Sequence, residues 1–224
     1  AVSITARPLA RAPFSETATH TKQAAVLVQA GAGHGSGFFI TNQGHILTNQ
    51  HVVGNAQRVR IVTAGKKGKL IAQVLRVDTE RDVALLKIED MPDDLKITTL
   101  PIQKQWPAVS EDIFAIGAPK SARLQDTISK GIVSAHRYKY KILGTNQDFI
   151  QGDVPTHGGN SGGPLVDKYG NLVGITVAGL YMHEGKRSAD LNFFIPIESA
   201  LKALNISVEK PKKPVANVPM SLAQ

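Results

Sequence analysis

The sequence predicts an all-β fold, and three observations predict it. From Ala24 onward the chain runs as many short β-type segments broken by Gly, Asn, Asp and Pro, the pattern of barrels or sandwiches. The segments fall into two batches of about six, divided by the Pro-containing stretch around Pro101–Pro107, the division that two packed barrels need. Helical periodicity of any length shows only near the C-terminal end.

The first twenty or so residues hold prolines, Ser and Thr without clear periodicity and are expected to form an N-terminal arm, residues 1–23. The first batch, within residues 24–108, offers strands at Ala25–Gln29, Gly37–Thr41, His45–Thr48, Arg58–Val62, Leu70–Val77 and Val83–Ile88. The second, within residues 109–208, offers Asp112–Ile116, Thr127–Ala135, Asp148–Gln151, Pro164–Asp167, Leu172–Ala178 and Asn192–Ile195. Pro196 suits a first helical position, and Ile197, Ala200, Leu201 and Leu204 share one face of a helix over Ile197–Leu204. The stretch Glu209–Gln224 is rich in Pro and Lys and reads as a disordered end or a linker. No internal repeat is visible in the residues.

A chain of 224 residues, 42% of them hydrophobic, can bury a full core, and with aromatics at 5% aliphatic side chains must supply most of it. The absence of cysteine excludes disulfides, thiol nucleophiles and thiolate metal sites. The histidines lack a His-x-x-x-His spacing, so no metal is expected. No apolar stretch approaches the roughly 18 residues that span a bilayer, so no transmembrane segment is expected. A net charge of +8 favours acidic partners such as an anionic surface. The basic residues are scattered, with small knots at Lys66, Lys67 and Lys69, at Arg137, Lys139 and Lys141, and at Lys210, Lys212 and Lys213; no specific nucleic acid is expected. Gly33-x-Gly35-x-Gly37 precedes a β-type run rather than a helix, which makes it a turn into a strand and not a dinucleotide loop. A start at Ala1 rather than Met is expected of a processed secretory product or a trimmed chain.

Peptide hydrolysis by serine requires a nucleophile, a base, an acid to orient the base, and donors for the oxyanion. In Gly158-Gly159-Asn160-Ser161-Gly162-Gly163-Pro164, Ser161 can be the nucleophile, with glycines letting the Gly159 and Ser161 amides converge as an oxyanion hole; the same residues also suit a plain turn. His51, after a candidate strand, can be the base, since imidazole titrates near pH 6.5, or a satisfied surface residue. Asp82, at the mouth of an apolar strand, can orient it or be an ordinary strand-end carboxylate, and Asp78 competes for the role. The order His, Asp, Ser is one of the orders in which this constellation occurs.

Taken together, Gly35-Ser36-Gly37-Phe38-Phe39-Ile40, Thr48-Asn49-Gln50-His51-Val52-Val53, Asp82-Val83-Ala84-Leu85-Leu86 and Gly159-Asn160-Ser161-Gly162-Gly163-Pro164-Leu165 resemble the HtrA (Deg) branch of the chymotrypsin- or trypsin-like serine proteases. Ala115-Ile116-Gly117-Ala118-Pro119, Gly131-Ile132-Val133-Ser134, Phe149-Ile150-Gln151-Gly152-Asp153 and Phe194-Ile195-Pro196 extend the resemblance over Ala24 to Leu204. It implies two six-stranded antiparallel β-barrels with a C-terminal helix and an active site in the cleft between them. It also implies Ser161 as nucleophile, His51 as general base then acid, and Asp82 as its orienting partner, with no cofactor. Polypeptide substrates, a homotrimer assembled through the N-terminal segment with Phe14 as a contact, and a periplasmic or secreted bacterial location are implied likewise.

Departures from the pattern carry expectations of their own. HtrA proteins usually carry PDZ domains after the protease, and the roughly twenty residues beyond the last helix are too few for one. Asn160 stands where many digestive proteases hold an Asp that pairs with a new N-terminus, so activation of that kind is not expected. Pro155 stands six residues before Ser161, where trypsin-like enzymes hold an acid, which argues against a Lys or Arg preference. Thr156 is similar to glutamyl endopeptidases, but Thr176 stands where those have His. A small or medium aliphatic residue before the cut bond is therefore expected, with Val177, Ala178, Gly179 and the Asn192–Ile195 strand as pocket walls. The competing reading is a catalytically quiet, chaperone-like or binding module on the same fold.

Overall fold

In the computed structural model, residues 1–64, 68–118, 127–142, 145–177, 182–183, 186–187 and 192–211 are described. The chain opens with a strand, β1 (Val2–Thr5), and a helix, α1 (Phe14–Ala24). The first barrel takes β2 (Ala25–Ala30), β3 (Gly33–Phe39), β4 (His45–Thr48), β5 (Arg58–Thr63), β6 (Leu70–Asp78) and β7 (Val83–Ile88), with a single helical turn, α2 (Gln50–Val53), after β4. The second takes β8 (Asp112–Ile116), β9 (Ile128–Ile142), β10 (Thr145–Gly152), β11 (Pro164–Asp167), β12 (Leu172–Val177) and β15 (Asn192–Pro196). Short strands β13 (Met182–His183) and β14 (Lys186–Arg187) pair with each other, and α3 (Ile197–Ala203) and β16 (Ile206–Glu209) end the described chain.

Both barrels are closed, six-stranded and antiparallel, and run around the ring in the same strand order: first, second, third, sixth, fifth, fourth. The fold is thus a structural repeat that the residues do not show. The chymotrypsin-like class and its C-terminal helix are as the sequence predicts.

Strand side chains alternate between faces, and here both faces are used. Along β7, Ala84, Leu86 and Ile88 fill the first barrel, while Val83 and Leu85 enter a separate core between the barrels. Phe194 of β15 fills the second barrel, while its neighbours Phe193 and Ile195 face that same middle core. Ile197, Ala200, Leu201 and Leu204 of the α3 segment close it. A strand buried on both sides reads as a continuous apolar run, which is why Val83–Ile88 shows no alternation in sequence.

The arm is where expectation and structure part. β1 pairs in parallel with β16, from Val2 opposite Ile206 to Thr5 opposite Glu209, so Glu209 belongs to a strand and not to the tail. Helix α1 buries only Phe14, Thr21 and Ala24, too few positions to print a helical period on a threonine-rich segment. Phe14, expected as an oligomer contact, is 5% exposed and packs its ring 4.1 Å from that of Phe114 in its own chain. Strand β9 outruns its expected end at Ala135, with a bulge at Lys139, where φ is 47°. Tyr138 and Tyr140, interleaved with Arg137, Lys139 and Lys141, stack on Trp106 and Phe193 respectively.

Candidate active site

His51 sits in the α2 turn, whose Val52 and Val53 are buried in the first barrel; the imidazole therefore faces outward, 44% exposed. Asp82 is the last residue before β7 and has φ 62°, a left-handed conformation that costs a non-glycine residue about 1 kcal/mol or more. That conformation turns its carboxylate onto the α2 turn. One oxygen accepts from the His51 amide at 2.9 Å and the other meets His51 Nδ1 at 2.7 Å. An ionised carboxylate only accepts, so Nδ1 carries the proton in this pair and Nε2 is left as the acceptor nitrogen of a neutral ring. Asn49 Nδ2 holds the Asp82 carbonyl at 3.0 Å. Asp78 is engaged elsewhere: its carboxylate accepts from the Arg81 amide at 2.7 Å and closes the turn between β6 and β7.

Ser161 follows a 3-10 turn, Gly158–Asn160, and is 2% exposed. Gly162 has φ 86°, and a Cβ there would collide with the Ser36 carbonyl and the Thr48 hydroxyl. Only glycine lets the chain leave Ser161 so close to the first barrel. Gly35 acts as spacer from the other side: its Cβ would meet Val52 at 2.6 Å and the Ser161 carbonyl at 2.9 Å. The backbone of Ser161 and the turn that carries His51 therefore pack against one glycine.

Ser36 joins the barrels at this point. Its amide donates to the Ser161 carbonyl at 2.7 Å, and its hydroxyl donates to the Gly159 carbonyl at 2.6 Å while accepting from the Ala118 amide at 2.8 Å. The Asn160 amide donates to His157 O at 2.8 Å, so the peptide linking Gly159 to Asn160 is held at both ends. Thr176 exchanges backbone bonds with Gly162 and Gly163, each 2.9 Å, and places β12 against the serine.

Among the expected pocket residues, Pro155 is exposed, Thr156 is half-buried, and Thr176 and Val177 are buried. Ala178 and Gly179 lie outside the described residues. The Thr156 hydroxyl donates to Asn192 Oδ1 at 2.8 Å, and Asn192 Nδ2 donates to the Val154 carbonyl at 2.7 Å, tying the loop before Ser161 to β15. The supporting roles of Ser36 and Asn49 escape sequence reasoning although both lie inside motif segments, and Asn192, on an expected pocket-wall strand, bonds Thr156 and Val154 in a way that only the fold shows.

A family model described as a trypsin-like peptidase domain matches residues 35–175. The chain is 37% identical over 170 residues to Protease Do-like 1, chloroplastic, of Arabidopsis thaliana, covering 75% of this chain and 37% of that protein. It is 38% identical over 177 residues to a probable periplasmic serine endoprotease DegP-like of Pseudomonas putida (strain GB-1), covering 76% of this chain and 34% of that protein. The chain thus spans about a third of the length of these relatives. Among solved structures, the HtrA-type protease AlgW with tripeptide matches with a TM-score of 0.71 at 29% identity, over 85% of this chain and 62% of that one.

Proposed function

The chain belongs to the trypsin-like peptidase family, with relatives of the HtrA (Deg) type, and from that premise we propose that it is a serine endopeptidase acting through Ser161, His51 and Asp82. The observation that carries this reading is the two-point grip of Asp82 on His51, at 2.9 and 2.7 Å, on a turn packed against the same glycine as Ser161.

Each group then has a chemical task. His51 Nε2 removes the Ser161 hydroxyl proton as Oγ attacks the peptide carbonyl. Asp82 keeps the proton on Nδ1 and stabilises the imidazolium that forms. The Gly159 and Ser161 amides receive the oxyanion, a contribution of about 3 kcal/mol per donor. The imidazolium passes its proton to the leaving amine, and water activated by the same base releases the acyl group. No step calls for a cofactor.

Extended, unfolded polypeptide is the proposed substrate, since it can pair with a strand edge beside the cleft. Val177 packs into the core between the barrels, while Thr156 bonded to Asn192, with Thr176 buried on the neighbouring strand β12, supports a pocket closed to long charged side chains and a preference for small or medium aliphatic residues. Ala178 and Gly179 are proposed to complete it. Assembly as a homotrimer, docking on an anionic surface and a periplasmic or secreted location are proposed on family resemblance and charge. Among the described residues no helix is long and apolar enough to cross a membrane.

Incubation of unfolded casein with wild type and Ser161→Ala, with cut sites read by mass spectrometry, tests the proposal. Activity that disappears in the variant, with Val, Ala, Ile or Leu before the cut bonds, is expected. Cleavage that survives the substitution contradicts the mechanism, and cuts dominated by Glu, Lys or Arg contradict the pocket.

A further inference from the structure

Three consecutive residues at the end of the β6–β7 turn reach different parts of the molecule. Glu80 accepts from Gln147 Nε2 of β10 at 3.2 Å. Asp82 grips His51. Between them Arg81 runs into the seam between the barrels and is 4% exposed. Its Nη1 lies 3.0 Å from Gln147 Oε1, 2.9 Å from the Asp148 carbonyl and 3.2 Å from Ser199 Oγ of α3. Its guanidinium carbon stands 4.5 Å from the centroid of the Phe149 ring. Every one of these partners belongs to the second barrel or to the helix that follows it.

A cation in an apolar seam costs stability that an aliphatic side chain of the same size would not, so stability is a poor account of its presence. A planar guanidinium whose Nη1 meets three acceptors and whose face lies on a ring is, however, well suited to fixing a position. One peptide bond separates that fixed point from a residue already confined to φ 62°. Asp82 therefore has little freedom to drift from the histidine while Arg81 stays docked.

We propose that Arg81 is a positioning residue, anchored on the barrel that bears Ser161 and holding the Asp82 carboxylate in register with His51 on the other barrel. The inference rests on the reading of His51, Asp82 and Ser161 as the reacting constellation. It adds that the alignment is referenced across the seam.

The test is steady-state hydrolysis of one peptide by wild type, Arg81→Met, Asp82→Asn and the double variant, with folding followed by circular dichroism. Arg81→Met is expected to lower kcat roughly 10- to 100-fold with KM within about twofold, the signature of misplaced rather than missing groups. In the Asp82→Asn background the same change is expected to alter kcat by less than about twofold, because no carboxylate remains to be placed. Equal fold-losses in both backgrounds, or an unchanged kcat in the single variant, overturn the proposal. If Asp82→Asn is crippled while Arg81→Met is not, the proposal alone fails; if Asp82→Asn turns over normally, the triad reading fails and takes this one with it. Should Arg81→Met not fold, Gln147→Met and Ser199→Ala withdraw its anchors instead. Each must then lower kcat in the wild-type background and not beside Asp82→Asn, and the absence of that pattern overturns the assignment.

Discussion

At the scale of single residues, Asp82 and Asp78 lie four positions apart and do different work. Asp82→Asn should reduce kcat by about 10⁴-fold, as loss of the acid that sets the base's tautomer does. Asp78→Asn should leave kcat nearly intact and lower stability by less than about 1 kcal/mol, because the Asn oxygen can still accept from the Arg81 amide. Comparable kinetic losses in both would undo the distinction. Ser36→Ala leaves the buried Gly159 carbonyl and Ala118 amide without their partner. A loss of about 1–3 kcal/mol in urea denaturation is expected, with slower peptide turnover. A fully active, equally stable variant would show that the Ser36 hydroxyl holds nothing. His51, Asp82 and Ser161 stand out in the sequence as candidates because they lie in motif segments that resemble one family in the same order, although each residue alone also suits an ordinary surface or turn position. Ser36, Asn49 and Arg81 do not, because each acts through a partner dozens of positions away that only the fold brings near.

At the scale of elements, strands with one wet face announced themselves, and β5 shows why: Val59 and Ile61 are buried and Arg58 and Arg60 exposed in strict alternation. Helix α1 did not, since its burial rests on Phe14 and the docking surface, not on its own periodicity. Phe14→Ala should therefore cost about 3–5 kcal/mol, as deletion of a fully buried ring does. A change below 1 kcal/mol would mean that α1 is only loosely attached. In β4, burial, and then the charges of Lys87 and Arg76, hold the His45 imidazole below its ordinary value of 6.5. The neutral ring is favoured in the folded chain, so the unfolded chain binds the proton first. Stability is complete above pH 6.5 and should decline as pH falls from there through the folded value. Urea midpoints against pH should flatten in that window for His45→Asn, and an unchanged slope would assign the dependence to other groups.

At the scale of the whole molecule, two barrels of identical strand order meet on an apolar core and on a few polar ties, and the candidate site lies where those ties converge. The twelve barrel strands were readable because turns punctuate them; β1, β13, β14, β16 and the repeated order around each ring were not, because short outlying strands carry little pattern and a shared strand order needs no shared residues. In the proposed reading, this seam makes Ser161 a nucleophile. Labelling of the folded chain with a fluorophosphonate, with the modified residue located by mass spectrometry in wild type and in His51→Ala, tests it. One adduct per chain on Ser161, lost in the histidine variant, is the predicted result. An unmodified Ser161 in a preparation that still cuts polypeptide would contradict the account.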